Sequence, residues 1–364
     1  MKRVTLQYLT LPHYRRSLFE RLWKYPEINF SVVCGKVSPY TNLKNFEPDK
    51  DQKVTFIKNN FIKIGSRKFV WQKGVFKAVM DYTPNYLILL GFDPHILSNI
   101  PLFILAKRKK IKVLWWGHAT YGKQGFIGRL IRYFFYTMAD GILTYDERGR
   151  QRLVNIGVDE RKIFPIWNCL NDEDYPFKNS KSKINKKLKY NIIFTGRITD
   201  RKKIDQLIKA VAILLKETKN IQLHIVGEGP AQQKLKELTQ QLNIEKYVVF
   251  HGPLYGEELS NLFVDIDLMV IPGLAGLSVI HALAHGIPVL NNNNKRTHPP
   301  EVSAIIPGKT GDFFKEDDVQ SLAKKIQEWL PKKPQVSHYC QELVQQRYTP
   351  DKVSQKIVEA LNKI

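Results

Sequence analysis

The amino-acid sequence predicts an α/β protein of two Rossmann-like β/α/β domains. Short β-rich runs alternate with helical patterns along the chain, the order that parallel sheets with crossover helices require. At 364 residues the chain is long enough for two domains that each bury a core. A polar stretch, residues 171–189, holds Asp172-Glu173-Asp174 and Pro176 and ends in a lysine-rich run, the composition of a linker.

In the first domain, residues 1–170, strands are expected at 3–7, 30–34, 54–57, 86–90, 113–116, 141–144 and 163–166, with helices notably at 17–24, 97–107 and 127–139. In the second, residues 190–335, strands are expected at 190–195, 222–226, 248–250, 268–271 and 288–290. A helix at 353–363 follows the break Tyr348-Thr349-Pro350, so residues 336–364 form a C-terminal helical segment able to pack back across either domain, the first among them. Open parallel sheets bind ligands outside the carboxyl ends of their strands, and two such domains are expected to face each other across a cleft.

Charge narrows the partners. Residues 1–190 hold 35 Lys and Arg against 15 Asp and Glu, whereas residues 191–364 hold 22 against 19. A basic first half attracts phosphate-rich partners or anionic lipid head groups. Nucleic acid is not expected, because neither a recognition-helix motif nor a single-strand stacking module accompanies the charge. Three cysteines without metal-ligand spacing suggest neither a disulfide framework nor a zinc site, and fit a reducing, cytoplasmic setting. No segment reaches the roughly 20 apolar residues of a spanning helix.

Two polar signatures occupy strand-to-helix turns of the second domain. Thr195-Gly196-Arg197 ends an apolar strand, and Lys202 follows before a helix with apolar Ile204, Leu207, Ile208, Val211 and Leu214. Gly196 lets backbone approach a ligand, Arg197 offers a planar fork to phosphate oxygens, and Lys202 adds a point charge. The alternative is a solvated basic run ahead of an amphipathic helix. The second signature, Gly273-Leu274-Ala275-Gly276-Leu277-Ser278, opens a helix carrying His281. Backbone N–H groups at a helix start attract anions, and Gly276 removes a blocking side chain. Ser278 is either part of that site or an N-cap; a neutral His281 could meet a ribose hydroxyl, and a charged one a phosphate. Gly227 and Gly229, in the turn after residues 222–226, lack the three-glycine dinucleotide fingerprint.

These positions, in this order, resemble the donor-binding domain of glycosyltransferase family 4, the retaining GT-B enzymes. The likeness runs over residues 191–314, through Gly227-Glu228-Gly229-Pro230, Phe250-His251-Gly252-Pro253, Ala282-Leu283-Ala284-His285-Gly286-Ile287-Pro288-Val289 and Gly308-Lys309-Thr310-Gly311. It implies that Arg197 and Lys202 stabilise a departing diphosphate, that Gly276, Leu277 and Ser278 present backbone donors to it, and that Leu254 lies near the base. The family usually carries two glutamates separated by seven residues; here Gly273 and His281 stand in their places. Lys203 likewise replaces a usual glycine. The resemblance is looser in the first half, where His118 in Trp115-Trp116-Gly117-His118 matches a histidine beside the reacting sugar, and Tyr14 and Arg15 would line the same cleft.

The resemblance implies a transferase that moves a sugar, with retention, from a nucleotide diphosphate sugar to a saccharide or polyprenyl or other lipid-linked acceptor in cell-surface polysaccharide or glycolipid synthesis. No cofactor is expected, and no metal, because no aspartate pair is placed for Mg²⁺. Aromatics interleave with basic residues over 63–77 (Phe69, Trp71, Phe76) and 123–136 (Phe126, Tyr133, Phe134), which suits a protein peripheral on the cytoplasmic face of an anionic membrane. A catalytically degenerate, nucleotide-binding partner of an active transferase is the alternative that the missing glutamates leave open.

Overall fold

In the computed structural model, described for residues 1–36, 45–65, 67–91, 95–119, 126–176, 190–294 and 298–364, the chain divides into two compact units. The first comprises Met1–Asn171 with Pro350–Ile364, and the second Asp172–Thr349.

The first unit is one eight-stranded sheet: β1 (Lys2–Tyr8), β2 (Ile28–Gly35), β3 (Val54–Ile64), β4 (Arg67–Lys73), β5 (Tyr86–Leu90), β6 (Lys112–Gly117), β7 (Gly141–Thr144) and β8 (Ile163–Pro165). Their spatial order is β4-β3-β2-β1-β5-β6-β7-β8, and only the β3–β4 pair is antiparallel. The crossovers carry α1 (Arg16–Trp23), α2 (Val75–Asp81), α3 (Asn99–Arg108), α4 (Phe126–Met138) and α5 (Glu147–Val154). Alternation along β2 builds the two cores: Val32 and Cys34 face the cluster containing α1, and Val33 faces the cluster containing α2 and α3.

Two expectations change here. The strand expected at 54–57 runs on to Ile64 and returns as β4, a hairpin at the sheet edge. Lysines punctuate this hairpin, with Lys58 opposite Lys73 and Lys63 opposite Lys68, which discourages further strand pairing at an edge. The stretch 63–77 is therefore largely hairpin and helix start, and its aromatics are half-buried, Trp71 lying 6.1 Å from Phe76.

The C-terminal segment 336–364 also divides. α11 (Lys333–Arg347) stays with the second unit, whereas α12 (Pro350–Lys363) belongs to the first. Proline suits the first turn of a helix, where its missing N–H has no partner to lose. Val353, Ile357, Val358 and Leu361 then form the apolar stripe that completes the first core. Arg21 on α1 pairs with Asp351 at 2.9 Å.

The second unit is a six-stranded, all-parallel sheet: β9 (Tyr190–Thr195), β10 (Ile221–Val226), β11 (Val248–Gly252), β12 (Leu268–Ile271), β13 (Val289–Asn292) and β14 (Gly311–Phe314). The order is β11-β10-β9-β12-β13-β14, so the winding reverses between β9 and β12. That reversal leaves a crevice outside the carboxyl ends of those two strands. Helices α6 (Ile204–Glu217), α7 (Gln232–Gln241), α8 (Gly256–Val264), α9 (Ser278–Ala284) and α10 (Val319–Trp329) cover the sheet with α11. Residues 311–314 were not expected as a strand: Gly311 and Asp312 interrupt the apolar run, which an edge strand tolerates.

Candidate functional site

The turns that follow β9, β10 and β11 are pressed together at the carboxyl edge of the second sheet. Gly196 N–H donates to the Val226 carbonyl at 3.0 Å, Ile198 N–H to Glu228 at 2.8 Å, and Gly227 N–H to Gly252 at 2.8 Å. A Cβ on Gly227 would collide with the Gly196 carbonyl, and one on Gly229 with the Ile198 carbonyl. These two glycines thus serve close backbone packing, and Leu254 follows two residues after Gly252, which that packing holds.

The two signatures meet directly across the winding reversal. Asp200–Lys202 form a single 3₁₀ turn, and its backbone accepts two hydrogen bonds from the glycine-rich loop: Gly273 N–H to Lys202 O at 2.9 Å and Leu274 N–H to Arg201 O at 3.2 Å. Lys202 Nζ completes the clasp by donating to the Leu274 carbonyl at 2.6 Å. Burial, and then the charge of Arg201, lower the Lys202 pKa. The ammonium spends one of its three donors on Leu274 and keeps two. Arg197 is exposed, and among the described residues its guanidinium has no hydrogen-bond or ion-pair partner.

Gly273, where the resemblance expects a glutamate, has no room for a side chain. A Cβ there would meet the Arg201 carbonyl and the Lys202 main chain. From behind, two buried asparagines hold the loop: Asn291 Nδ2 donates to Gly273 O at 3.1 Å, and Asn292 Nδ2 to Pro272 O at 2.7 Å. Sequence reasoning missed both residues. Their signal was four consecutive asparagines closing an apolar strand, where buried amides must find backbone partners.

Beyond Gly273 the loop opens. Nothing lies within 4 Å of where a Gly276 side chain would begin. The N-cap of α9 is Leu277 without a side-chain cap bond, so Ser278 is the first helical residue and the N-cap reading is corrected. His281 is buried, edge-on to Phe263 at 4.8 Å and 5.1 Å from His285. Desolvation, then His285, push its imidazole down to about 3. The ring is therefore neutral at pH 7, which removes the charged, phosphate-binding alternative. Lys203 adopts a left-handed conformation, φ 52°, that suits the glycine usual there. Its side chain compensates by pairing with Glu316 at 3.0 Å and Asp317 at 2.7 Å.

In the first unit, the candidate residues lie at the carboxyl ends of β1, β6 and β7. His118 follows β6 with its ring 4.5 Å from Tyr145, and a solvent-exposed edge. Desolvation by the surrounding protein, then the Arg15 charge, push it down to about 4 against a weaker pull from Asp146. Both desolvation and the Arg15 charge favour a neutral ring. Tyr14 is half-buried, while Arg15 is buried behind Trp116 and Tyr145 rather than lining an open surface. Among the described residues, no three His, Cys, Asp or Glu side chains group to hold a metal ion, and no helix is long and apolar enough to cross a membrane.

Comparison with known proteins agrees with this architecture. The family described as Glycosyl transferases group 1 matches residues 176–347. An uncharacterized glycosyltransferase of Methanocaldococcus jannaschii is 30% identical over 161 residues, 41% of each chain. The alpha-monoglucosyldiacylglycerol synthase of Streptococcus pneumoniae is 25% identical over 257 residues, 64% of this chain and 58% of that one. The alignments thus span less than two thirds of these relatives. The fold matches Anabaena HepE, solved in complex with UDP, with a TM-score of 0.73 and 14% identity over the whole of both chains. Its two parallel-sheet domains and its likeness to these solved structures give the chain the GT-B fold, and its second unit matches the glycosyl transferases group 1 family.

Proposed function

We propose that this protein is a glycosyltransferase whose second unit holds a nucleoside diphosphate sugar and whose first unit takes a saccharide or lipid-linked saccharide. The observation that carries the reading is the clasp between Lys202 and Leu274 at the winding reversal. It holds Lys202, whose ammonium keeps two donors, against the loop that opens at Gly276, and Arg197, without a partner among the described residues, begins the same turn. In transfer with retention, the bond from the anomeric carbon to the diphosphate breaks, the acceptor oxygen bonds on the same face, and its proton passes to a phosphate oxygen. Arg197 and Lys202 neutralise the charge that develops on the leaving group, without a metal ion. Neutral His118 accepts a hydrogen bond from a sugar hydroxyl. HepE with bound UDP, and a relative named for placing glucose on a diacylglycerol, support the donor and acceptor classes.

The test is a melting-temperature screen against UDP, GDP, TDP and their sugars, because a ligand that binds only the native state raises the melting temperature by mass action. At a hundred times its Kd, the cognate nucleotide adds about 2.7 kcal/mol. No shift with any nucleotide would remove the donor site. The closed Gly273 position favours a second reading, a member that binds nucleotide without turnover. Sugar transfer or donor hydrolysis by the purified protein excludes that reading.

Membrane docking through the first unit is part of the same proposal. On α4, Leu130, Phe134 and Met138 are spaced four apart and are 58%, 55% and 40% exposed, so they form an apolar stripe with no cover among the described residues. Flotation with anionic vesicles should carry the wild type. Leu130→Asp with Phe134→Asp should lower the bound fraction at least about tenfold, from the transfer energy of two large side chains. Equal flotation of the double variant would discard α4 as the docking face.

A further inference from the structure

Arg15 carries a charge that the described residues do not balance. It is 3% exposed, and Nη2 donates to the Tyr145 hydroxyl at 3.0 Å. The guanidinium carbon lies 5.3 Å from the Trp116 ring centre, 5.4 Å from Tyr145 and 5.6 Å from Tyr14. Nε and Nη1 are buried with no hydrogen-bond partner. Aromatic faces attract a cation but give its N–H groups no acceptor of ordinary strength. The carboxylate nearby is already committed: Asp146 accepts from Gly149 N–H at 2.7 Å, capping α5, and pairs with Arg148 at 2.8 Å.

An arginine cannot shed its proton, so it cannot relieve burial by becoming neutral. An uncompensated buried ion is costly, and a bound group of opposite charge relieves that cost. We propose that Arg15 is the receptor for a phosphate oxyanion carried by the substrate of the first unit. A phosphate offers several acceptor oxygens, which suits the two orphaned nitrogens, Nε and Nη1. Trp116 and Tyr145 are buried while Tyr14 is half-buried, so the anion enters past Tyr14. That route places it beside His118, whose ring touches Tyr145. The inference rests on the transferase reading only in naming the phosphate's carrier as the acceptor.

The test uses the full chain saturated with UDP, so that the nucleotide crevice is filled, and titrates inorganic phosphate against chloride at equal ionic strength. The wild type should show a saturable rise in melting temperature that chloride does not reproduce. Arg15→Met should melt higher than the wild type without phosphate and gain nothing from it. Arg15→Lys keeps the charge, guards against misfolding of the first variant, and should weaken the phosphate response at least tenfold. Glucose 1-phosphate and farnesyl phosphate then distinguish a sugar phosphate from a lipid phosphate, either binding tighter than inorganic phosphate only when Arg15 is present. Absence of a phosphate shift in the wild type, or an equal shift in Arg15→Met, overturns the proposal. A nucleotide shift that persists alongside such a failure leaves the donor site standing, so the two readings fail separately.

Discussion

Arg197→Ala is expected to reduce sugar transfer about 10²- to 10³-fold in kcat while leaving the melting temperature of the ligand-free protein unchanged. The size is that of removing one preorganised donor from a charge that develops in the transition state. The unchanged stability follows because Arg197 is exposed and, among the described residues, bonds to nothing in the ligand-free chain. Lys202→Ala makes the contrast. It also removes a cation from the crevice, but it breaks the bond to the Leu274 carbonyl and loosens the loop that faces the ligand. Charged hydrogen bonds of this kind contribute about 1.5–3 kcal/mol. The lysine variant should therefore lose both activity and melting temperature. Kinetics and thermal melts on the same preparations check the pair. Equal stability losses in both variants would mean that Arg197 has a structural partner, and full activity in Arg197→Ala would remove it from the mechanism.

Gly273→Glu, which writes the usual family carboxylate back into this chain, is expected to destabilise the protein and abolish nucleotide binding. The first atom of the new side chain would meet main-chain atoms of Arg201 and Lys202, which cannot step aside as a flexible side chain would. Relief requires parting the two loops, with loss of the bonds from Gly273 N–H and Leu274 N–H. Overpacking and two lost hydrogen bonds together amount to about 2–5 kcal/mol. Gly273→Ala should show most of the same loss, because the collision begins at Cβ. Chemical denaturation with nucleotide titration measures both. A stable, more active Gly273→Glu protein would show that the loops separate freely and that the glycine is merely a lost glutamate.

Much of the fold was legible because its signals are local. Buried parallel strands read as apolar runs, which is how β9 and β12 were placed within a residue or two. Elements fixed by their partners were less legible. β4 has only a three-residue apolar run, Phe69-Val70-Trp71, and is set by its pairing with β3. The C-terminal segment was read as one piece, and only the fit of Val353, Ile357 and Leu361 into the first core assigns α12 there. Arg15 likewise looked like an exposed cleft residue. The aromatic packing that buries it comes from β6 and from the residue after β7, far along the chain.

By itself the sequence determined that there are two doubly wound domains, that the second carries two polar signatures at strand ends, and that the positive charge lies in the first half. Each of these depends on residue type, or on spacing within a turn or two. Tertiary structure alone decided how the two signatures relate. It turned Gly273 from a missing carboxylate into a required contact, and gave Lys202 a second, structural bond. It also neutralised His281 and buried Arg15 without a counter-ion among the described residues. Those outcomes depend on which backbone and which charges come within a few ångströms, and that is set by the packing of strands and loops remote in the chain.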